Sequence, residues 1–362
     1  MWCIPGNAPR EERSRHDLDS ITERLPLTGK LFSIPIFLLA FACTFLSCDR
    51  DKDAAQAQGQ PRTDISPPGS KASTPPLTFP PDSGPPPSFD GNRSFEYVKE
   101  IVAFGPRPIG SANHKKVEDY ITSHLKGDAV EDDRFTADTP EGKFPVHNMI
   151  AKFPGTKDGI IVIASHYDTN YPLRNTPYVG ANDGGSSSAL LLELANQIRG
   201  QKRDGYSVWL VWDDAEESVK PDTEVNFLSD SLYGIQHLAD KWQADGTLKK
   251  VKAFLLADMI GDADLDIDRD QNSTPWLEDT VHEAATRLGY QSHFFARNNQ
   301  VSDDHLPFVK RGVPSADLID FTYGYNNVFW HTPQDTVDKL SPKSLNIVGC
   351  VILETVRLLD TK

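Results

Sequence analysis

The stretch Val208 to Glu217, VWLVWDDAEE, runs from unbroken apolar residues straight into carboxylates. A strand that is apolar along both faces is buried on both, the pattern of a central strand in a largely parallel sheet covered by helices. Its carboxyl end is the edge at which open α/β sheets place their ligands, and it presents Asp213, Asp214, Glu216 and Glu217. Neighbouring glutamates on extended backbone point to different places, so one can hold a metal while the other moves protons. Taken alone, the same string also reads as a solvated acidic turn.

The rest of the chain repeats the pattern. Gly159 to Ser165, GIIVIAS, is apolar throughout and ends on His166-Tyr167-Asp168. Lys252 to Asp258, KAFLLAD, ends on a carboxylate, and the short strand Pro314 to Ile319 is followed after a loop by Trp330 and His331. Gly180 to Gly185, GANDGG, leads into the helix Ser186 to Ile198 and sets Asp183 at its entry, where glycines let backbone approach closely. Ser186 suits the helix cap without Asp183. Helical spacing is also found at Phe95 to Phe104, Ala112 to Leu125, Asp230 to Ala239, Ser273 to Leu288 and Lys343 to Leu359, and Asp133 to Thr136 and Val146 to Lys152 are short strand candidates. The expected fold is α/β, a mixed but mostly parallel central sheet flanked by helices. Oxygen and imidazole donors without cysteine, gathered at successive strand ends, suit Zn²⁺ in a catalytic site with an open coordination position. His166 and Asp168 then read as an imidazole ligand and the carboxylate that orients it.

Before the folded part come two segments of other character. Leu31 to Cys48 is an uncharged apolar run with Arg24 and Lys30 ahead of it and Asp49-Arg50-Asp51 behind it, so residues 1–48 read as a leader with an export signal or signal anchor. Ala42 before Cys43 and Ser47 before Cys48 resemble a bacterial lipoprotein signal, which places the protein in the periplasm or cell envelope, held to the membrane by a lipid or an uncleaved anchor. Residues 49–93, rich in Pro, Ser, Gln, Ala and Gly, have too few apolar groups to offset the entropy of ordering and read as a disordered tether to a domain over 94–362. Of four cysteines only Cys350 falls in that domain, so it holds no internal disulfide. The formal charge of −15 argues against nucleic acid as a partner.

At His166-Tyr167-Asp168, Asp183 among glycines, Glu216-Glu217, Asp258 and His331-Thr332, the chain resembles the M28 metallopeptidase family. In Asp230 to Gly234 (DSLYG), Asp303 to Phe308 (DDHLPF), Arg311-Gly312-Val313-Pro314 and Trp330-His331-Thr332 it is more closely similar to the glutaminyl-peptide cyclotransferases of that fold. The resemblance implies a zinc aminopeptidase-like, phosphorylase/hydrolase-like fold and peptide or protein N-termini as substrates. It implies one zinc held by Asp183, Glu217 and His331, with Glu216 as general acid/base, Asp258 and Asp304 as a hydrogen-bonded acidic pair beside it, and Trp330 as a pocket wall. Two ions are the alternative, with His166, Asp168 and Asp258 around the second. Two departures stand out. Between Glu217 and Asp230 the cyclases carry a pocket tryptophan that this chain lacks, and Cys350 alone cannot make the disulfide of the animal cyclases. Because His166, Asp183, Glu217, Asp258 and His331 also complete the ligand set of a two-metal aminopeptidase, hydrolysis of N-terminal residues is the rival activity, and a binding module on the same scaffold is a third reading.

Overall fold

The computed structural model describes residues 85–221 and 226–362. The leader, with Cys43 and Cys48, and the tether up to residue 84 lie outside the described residues. Among the described residues no helix is long and apolar enough to cross a membrane. Helix α1 (Gly91–Val102) begins inside the range expected as tether, its first turn capped by the Asp90 carboxylate, which accepts from the Arg93 N–H. Residues 85–90 lie against the closing helix. Arg357 Nη1 donates to Pro85 O at 2.8 Å, and the Phe89 ring packs so closely over Gly349 that a Cβ there would sit 2.4 Å from it. One large apolar anchor and a few carbonyl contacts thus extend the folded domain upstream of Ser94.

The elements continue with α2 (Ala112–His124), β1 (Ala129–Thr139), β2 (Gly142–Phe153), β3 (Gly155–His166), α3 (Gly185–Ile198), β4 (Arg203–Asp213), α4 (Tyr233–Asp245), β5 (Val251–Asp258), β6 (Ile267–Asp270), α5 (Pro275–Leu288), β7 (Phe294–Asn299), α6 (Leu306–Val309), β8 (Ser315–Ile319) and α7 (Pro342–Leu359). Six strands form one sheet in the order β1-β2-β4-β3-β5-β8. The hairpin β1–β2 and the β2–β4 pair are antiparallel, and β4, β3, β5 and β8 are parallel neighbours. The fold is the expected α/β arrangement with a mixed, mostly parallel sheet.

Alternation along the central strands makes two cores. Ile161 and Ile163 of β3, with Leu210, Trp212, Leu255 and Ala257, face one core together with α1, α3, α5 and α7. Ile160, Val162 and Ala164, with Val211, Phe254 and Leu256, face the other together with α4 and Phe308. The chain leaves β3 through α3 to its neighbour on one side, and returns from β4 through α4 to β5 on the other side. Successive connections therefore part on opposite faces, and a crevice opens at the carboxyl ends of β3, β4 and β5, where such sheets bind ligands. A two-stranded parallel sheet, β6–β7, was not anticipated: it is short, and Asp268 and Asp270 are poor strand formers.

Candidate active site

Each strand that enters the crevice ends in a tight feature that aims a side chain. β3 ends at His166, whose ring lies against the turn before α3. A Cβ on Gly184 would come within 2.8 Å of His166 Cε1, and Gly184 has φ 70°, so glycine is needed there on both counts. The helix cap is this left-handed glycine rather than Ser186, whose hydroxyl instead donates to Asn182 O at 2.6 Å. After β4, Ala215 turns the chain at φ 59°, with Tyr233 N donating to Ala215 O at 2.9 Å and Leu232 N to Glu216 O at 2.8 Å. Met259, after Asp258, and His331 are also left-handed, at φ 48° and 50°. Non-glycine residues in this region cost energy, and here they flank or carry the polar groups of the crevice.

These features bring together the residues singled out above, apart from Asp213, Asp214 and Asp304. His331 Nε2 lies 3.3 Å from Asp183 Oδ2 and 3.2 Å from Glu217 Oε2, and all three residues offer ligand atoms within 4.8 Å of one another. His166 Nε2 lies 3.2 Å from Asp183 Oδ1 and 3.3 Å from Asp258 Oδ1, a second such group that shares Asp183. Glu217 Oε1 is buried without a hydrogen-bond donor, and no lysine or arginine lines the crevice among the described residues. Two adjacent buried carboxylates, an unsatisfied oxygen and an imidazole fit a zinc ion at Asp183, Glu217 and His331. Burial works to raise the Asp183 carboxyl, but hydrogen bonds from His166 and His331 hold it well below the usual carboxylate range. Asp168 accepts from the backbone N–H groups of Glu216 and Glu217 at 3.2 and 3.4 Å, and it lies 3.5 Å from His166 Nδ1. It therefore aims the two glutamates as well as the imidazole.

Glu216 is buried, and burial, reinforced by Asp303, Glu217 and Asp168 against the opposing effect of His166, pushes its carboxyl well above its ordinary value. The neighbour that lines the cavity beside Glu216 and Asp258 is Asp303, not Asp304. Asp304 is completely buried and turned away, with its carboxyl hydrogen-bonded to that of Asp213. Among the described residues the four oxygens of that pair have no other hydrogen-bond partner, and burial together with the facing Asp213 pushes the Asp304 carboxyl well above its ordinary value. The doublet puts successive side chains on opposite sides of the turn, and the sequence does not say which of the two faces inward. Burial raises Asp303 well above the ordinary range, and Asp258 adds to the rise.

A cavity of about 380 Å³ stands over these groups, walled by Phe227, Val301, Ile319, Phe321 and Trp330. Trp330 stacks on His331 at 4.0 Å between ring centroids and meets Phe321 edge-on at 5.0 Å. Phe227 was missed by the sequence reading. It supplies an aromatic wall from the loop in which the tryptophan is absent. Also missed were Asn170, whose amide donates to Glu217 Oε2 at 2.9 Å, and Tyr178, whose hydroxyl donates to Asp183 Oδ2 at 2.7 Å. Polar residues of loops carry no periodic signal that would have marked them.

Residues 148–356 match the model of peptidase family M28. The chain belongs to that family. An M28 frame explains why its ligand-type residues sit at successive strand ends. Within solved structures, the chain is similar to the glutaminyl cyclase of an Acidobacteriales bacterium, at 48% identity over 78% of this chain and 99% of that one, with a TM-score of 0.74. It is also similar to a Zn-dependent exopeptidase from Parabacteroides distasonis, at 28% identity over 75% of this chain and 99% of that one, with a TM-score of 0.68. Among curated proteins it is 29% identical over 275 residues to the glutaminyl-peptide cyclotransferase of Drosophila melanogaster, covering 68% of this chain and 75% of the relative.

Proposed function

We propose that this M28 chain is a glutaminyl-peptide cyclotransferase, converting N-terminal glutamine of peptides or proteins to pyroglutamate with release of ammonia. The observation that carries the reading is the cluster of Glu216, Asp258 and Asp303 beneath the aromatic walls of Phe227, Phe321 and Trp330, a proton-handling group under an apolar cover. Its likeness to a bacterial glutaminyl cyclase over nearly the whole of that chain supports the same reading.

Asp183, Glu217 and His331 would hold one zinc ion. When bound, it supplies a Lewis acid to the γ-carbonyl oxygen of the substrate glutamine. In the reaction the substrate α-amine forms a bond to its own side-chain carbonyl carbon, and the carbon–nitrogen bond of the amide breaks. Glu216 takes a proton from the attacking amine and returns it to the departing nitrogen, which leaves as ammonia. A carboxyl raised well above its ordinary value by burial and by Asp303 holds a proton more readily and so suits the exchange. No water enters the balance, so Trp330 and Phe227 serve by covering the reacting atoms. Burial works to lower the His166 pKa, but its hydrogen bonds to the Asp168, Asp183 and Asp258 carboxylates raise it well above the ordinary value. The leader over 1–48 supports a site of action outside the cytoplasm, tethered to the membrane.

The test is to incubate the full chain with zinc and a Gln-initiated peptide and to read the product mass. Loss of ammonia at unchanged chain length is expected. Free glutamine with a shortened peptide would establish the aminopeptidase instead.

A further inference from the structure

The turn that carries Asp183 is gripped from both sides by a pair of charged groups that never touch each other. On one side is Arg107, whose side chain is completely buried although no carboxylate pairs with it among the described residues. Burying a guanidinium is costly unless its donors are used, and here they are spent on backbone carbonyls. Nε donates to Tyr167 O at 2.7 Å, Nη1 to Val179 O, and Nη2 to Gly180 O at 2.9 Å and Asp183 O at 3.2 Å. Arg107 is itself fixed, its N–H donating to Thr169 Oγ1 at 3.0 Å. Gly180 fits this close packing: at φ 51° a Cβ would lie 2.6 Å from Asp183 O and 3.4 Å from Arg107 Nη2.

On the other side is Asp335, also fully buried and four residues beyond His331. Its carboxylate accepts from Asn182 N at 2.8 Å and Asp183 N at 3.2 Å, and is held by the Tyr323 hydroxyl at 2.8 Å. Arg107 takes the carbonyls of Val179, Gly180 and Asp183, and Asp335 takes the N–H groups of Asn182 and Asp183. The peptide units of one turn therefore bridge an ion pair.

We infer that Arg107 and Asp335 are positioning residues that fix the direction of the Asp183 carboxylate and so set the zinc affinity of the Asp183–Glu217–His331 site. The inference rests on the zinc reading of that site. A planar fork suits four diverging carbonyls, and a lysine ammonium cannot reproduce it, so Arg107→Lys keeps the charge and removes the geometry. Outer partners of metal ligands typically govern affinity by about 10- to 100-fold.

The experiment is a zinc competition titration against a chelator of known affinity, on the full chain, together with its melting temperature. Wild type, Arg107→Lys and Asp335→Asn are compared with Arg199→Lys. That control alters an equally forked arginine that binds Asp128 and the His124 carbonyl away from the cavity. Zinc binding about 10- to 100-fold weaker in Arg107→Lys and Asp335→Asn, and unchanged in Arg199→Lys, is expected. If Arg107→Lys does not fold, the weakening is read from Asp335→Asn. Wild-type zinc affinity in the folded variants overturns the clamp and leaves the zinc reading standing. Failure of both variants to fold assigns the pair to stability and also overturns it, whereas a wild type that binds no zinc overturns both.

Discussion

Two buried groups of histidines and carboxylates lie close together in this chain and are built on opposite plans. In the first, His114 Nε2 meets Asp214 Oδ1 at 2.7 Å, Asp214 Oδ2 accepts from His147 N at 2.8 Å, and His147 Nε2 meets Asp132 at 2.6 Å. Glu118 stands between both imidazoles at 3.4 and 3.3 Å, with Lys115 and Arg134 at 3.6 and 3.7 Å. Every negative charge there has a positive or donating neighbour. In the second, the cavity, five carboxyl groups, those of Asp183, Glu216, Glu217, Asp258 and Asp303, are gathered with only two imidazoles, His166 and His331, and no lysine or arginine among the described residues that line it. The residue types are the same, and both groups offer metal-type spacing. What separates them is compensation: a buried charge that is paired belongs to the fold, and one left short of partners marks the place where an ion or a substrate completes the site.

The largest expected effect falls in the cavity. Glu216→Gln removes the proton carrier but no zinc ligand, so kcat should fall about 10²- to 10⁴-fold with zinc content unchanged, as metal analysis would show. Glu217→Gln should release the zinc. Equal loss of metal from both variants would erase the division of labour between the two glutamates.

A smaller effect, of another kind, is expected in the paired group. His114→Gln leaves Asp214 and Glu118 buried and short of a cation, a change that costs about 3 kcal/mol of stability. Zinc affinity and kcat should stay at wild-type levels. Burial works to lower the His114 pKa, but Asp214, Asp168 and Glu118 raise it on balance. A raised folded value means the pairing stabilises fully below the unfolded histidine value and fades as pH rises through the folded one. Urea unfolding across that range should therefore show the variant's deficit shrinking toward alkaline pH. A loss of zinc in His114→Gln would show that the two groups act as one.

The same contrast explains what could be read from the chain beforehand. Runs such as GIIVIAS and KAFLLAD are apolar because both faces are covered, so the parallel strands and the residues at their ends, His166 and Asp258, were legible. Asp183, Glu216, Glu217, Trp330 and His331 were legible because they abut such runs or stand in recognisable local patterns. Arg107 and Asp335 were not, since a buried arginine bound to carbonyls has the same sequence appearance as one in a solvated Gly-Pro-Arg-Pro turn. Asp303 and Asp304 illustrate the limit most plainly. A doublet in a turn places one carboxyl in the cavity and the other against Asp213, and only backbone dihedrals decide which.

Glu278 falls between the two plans and gives the smallest effect. It lies buried in the first turn of α5 with Oε2 3.2 Å from Arg269 Nε, while Oε1 has no partner among the described residues. Burial outweighs the pull of Arg269 and pushes its carboxyl up to about 7. Between the ordinary value of an unfolded glutamate and about 7, the folded chain therefore holds a proton that the unfolded chain releases. Stability attributable to this group falls as pH rises through that window and is level above it. Glu278→Gln should match wild type near the acid end and be more stable at the alkaline end, by about 1 kcal/mol or roughly 2–4 °C in Tm for a domain of this size. The contest is between a half-made ion pair, with Arg269 one-third exposed, and a carboxylate oxygen left bare in the interior. If the variant is less stable than wild type at alkaline pH, the pair wins and Glu278 joins the compensated group. If it is more stable, partial pairing is too weak to offset burial, the same imbalance that the cavity carries on a larger scale.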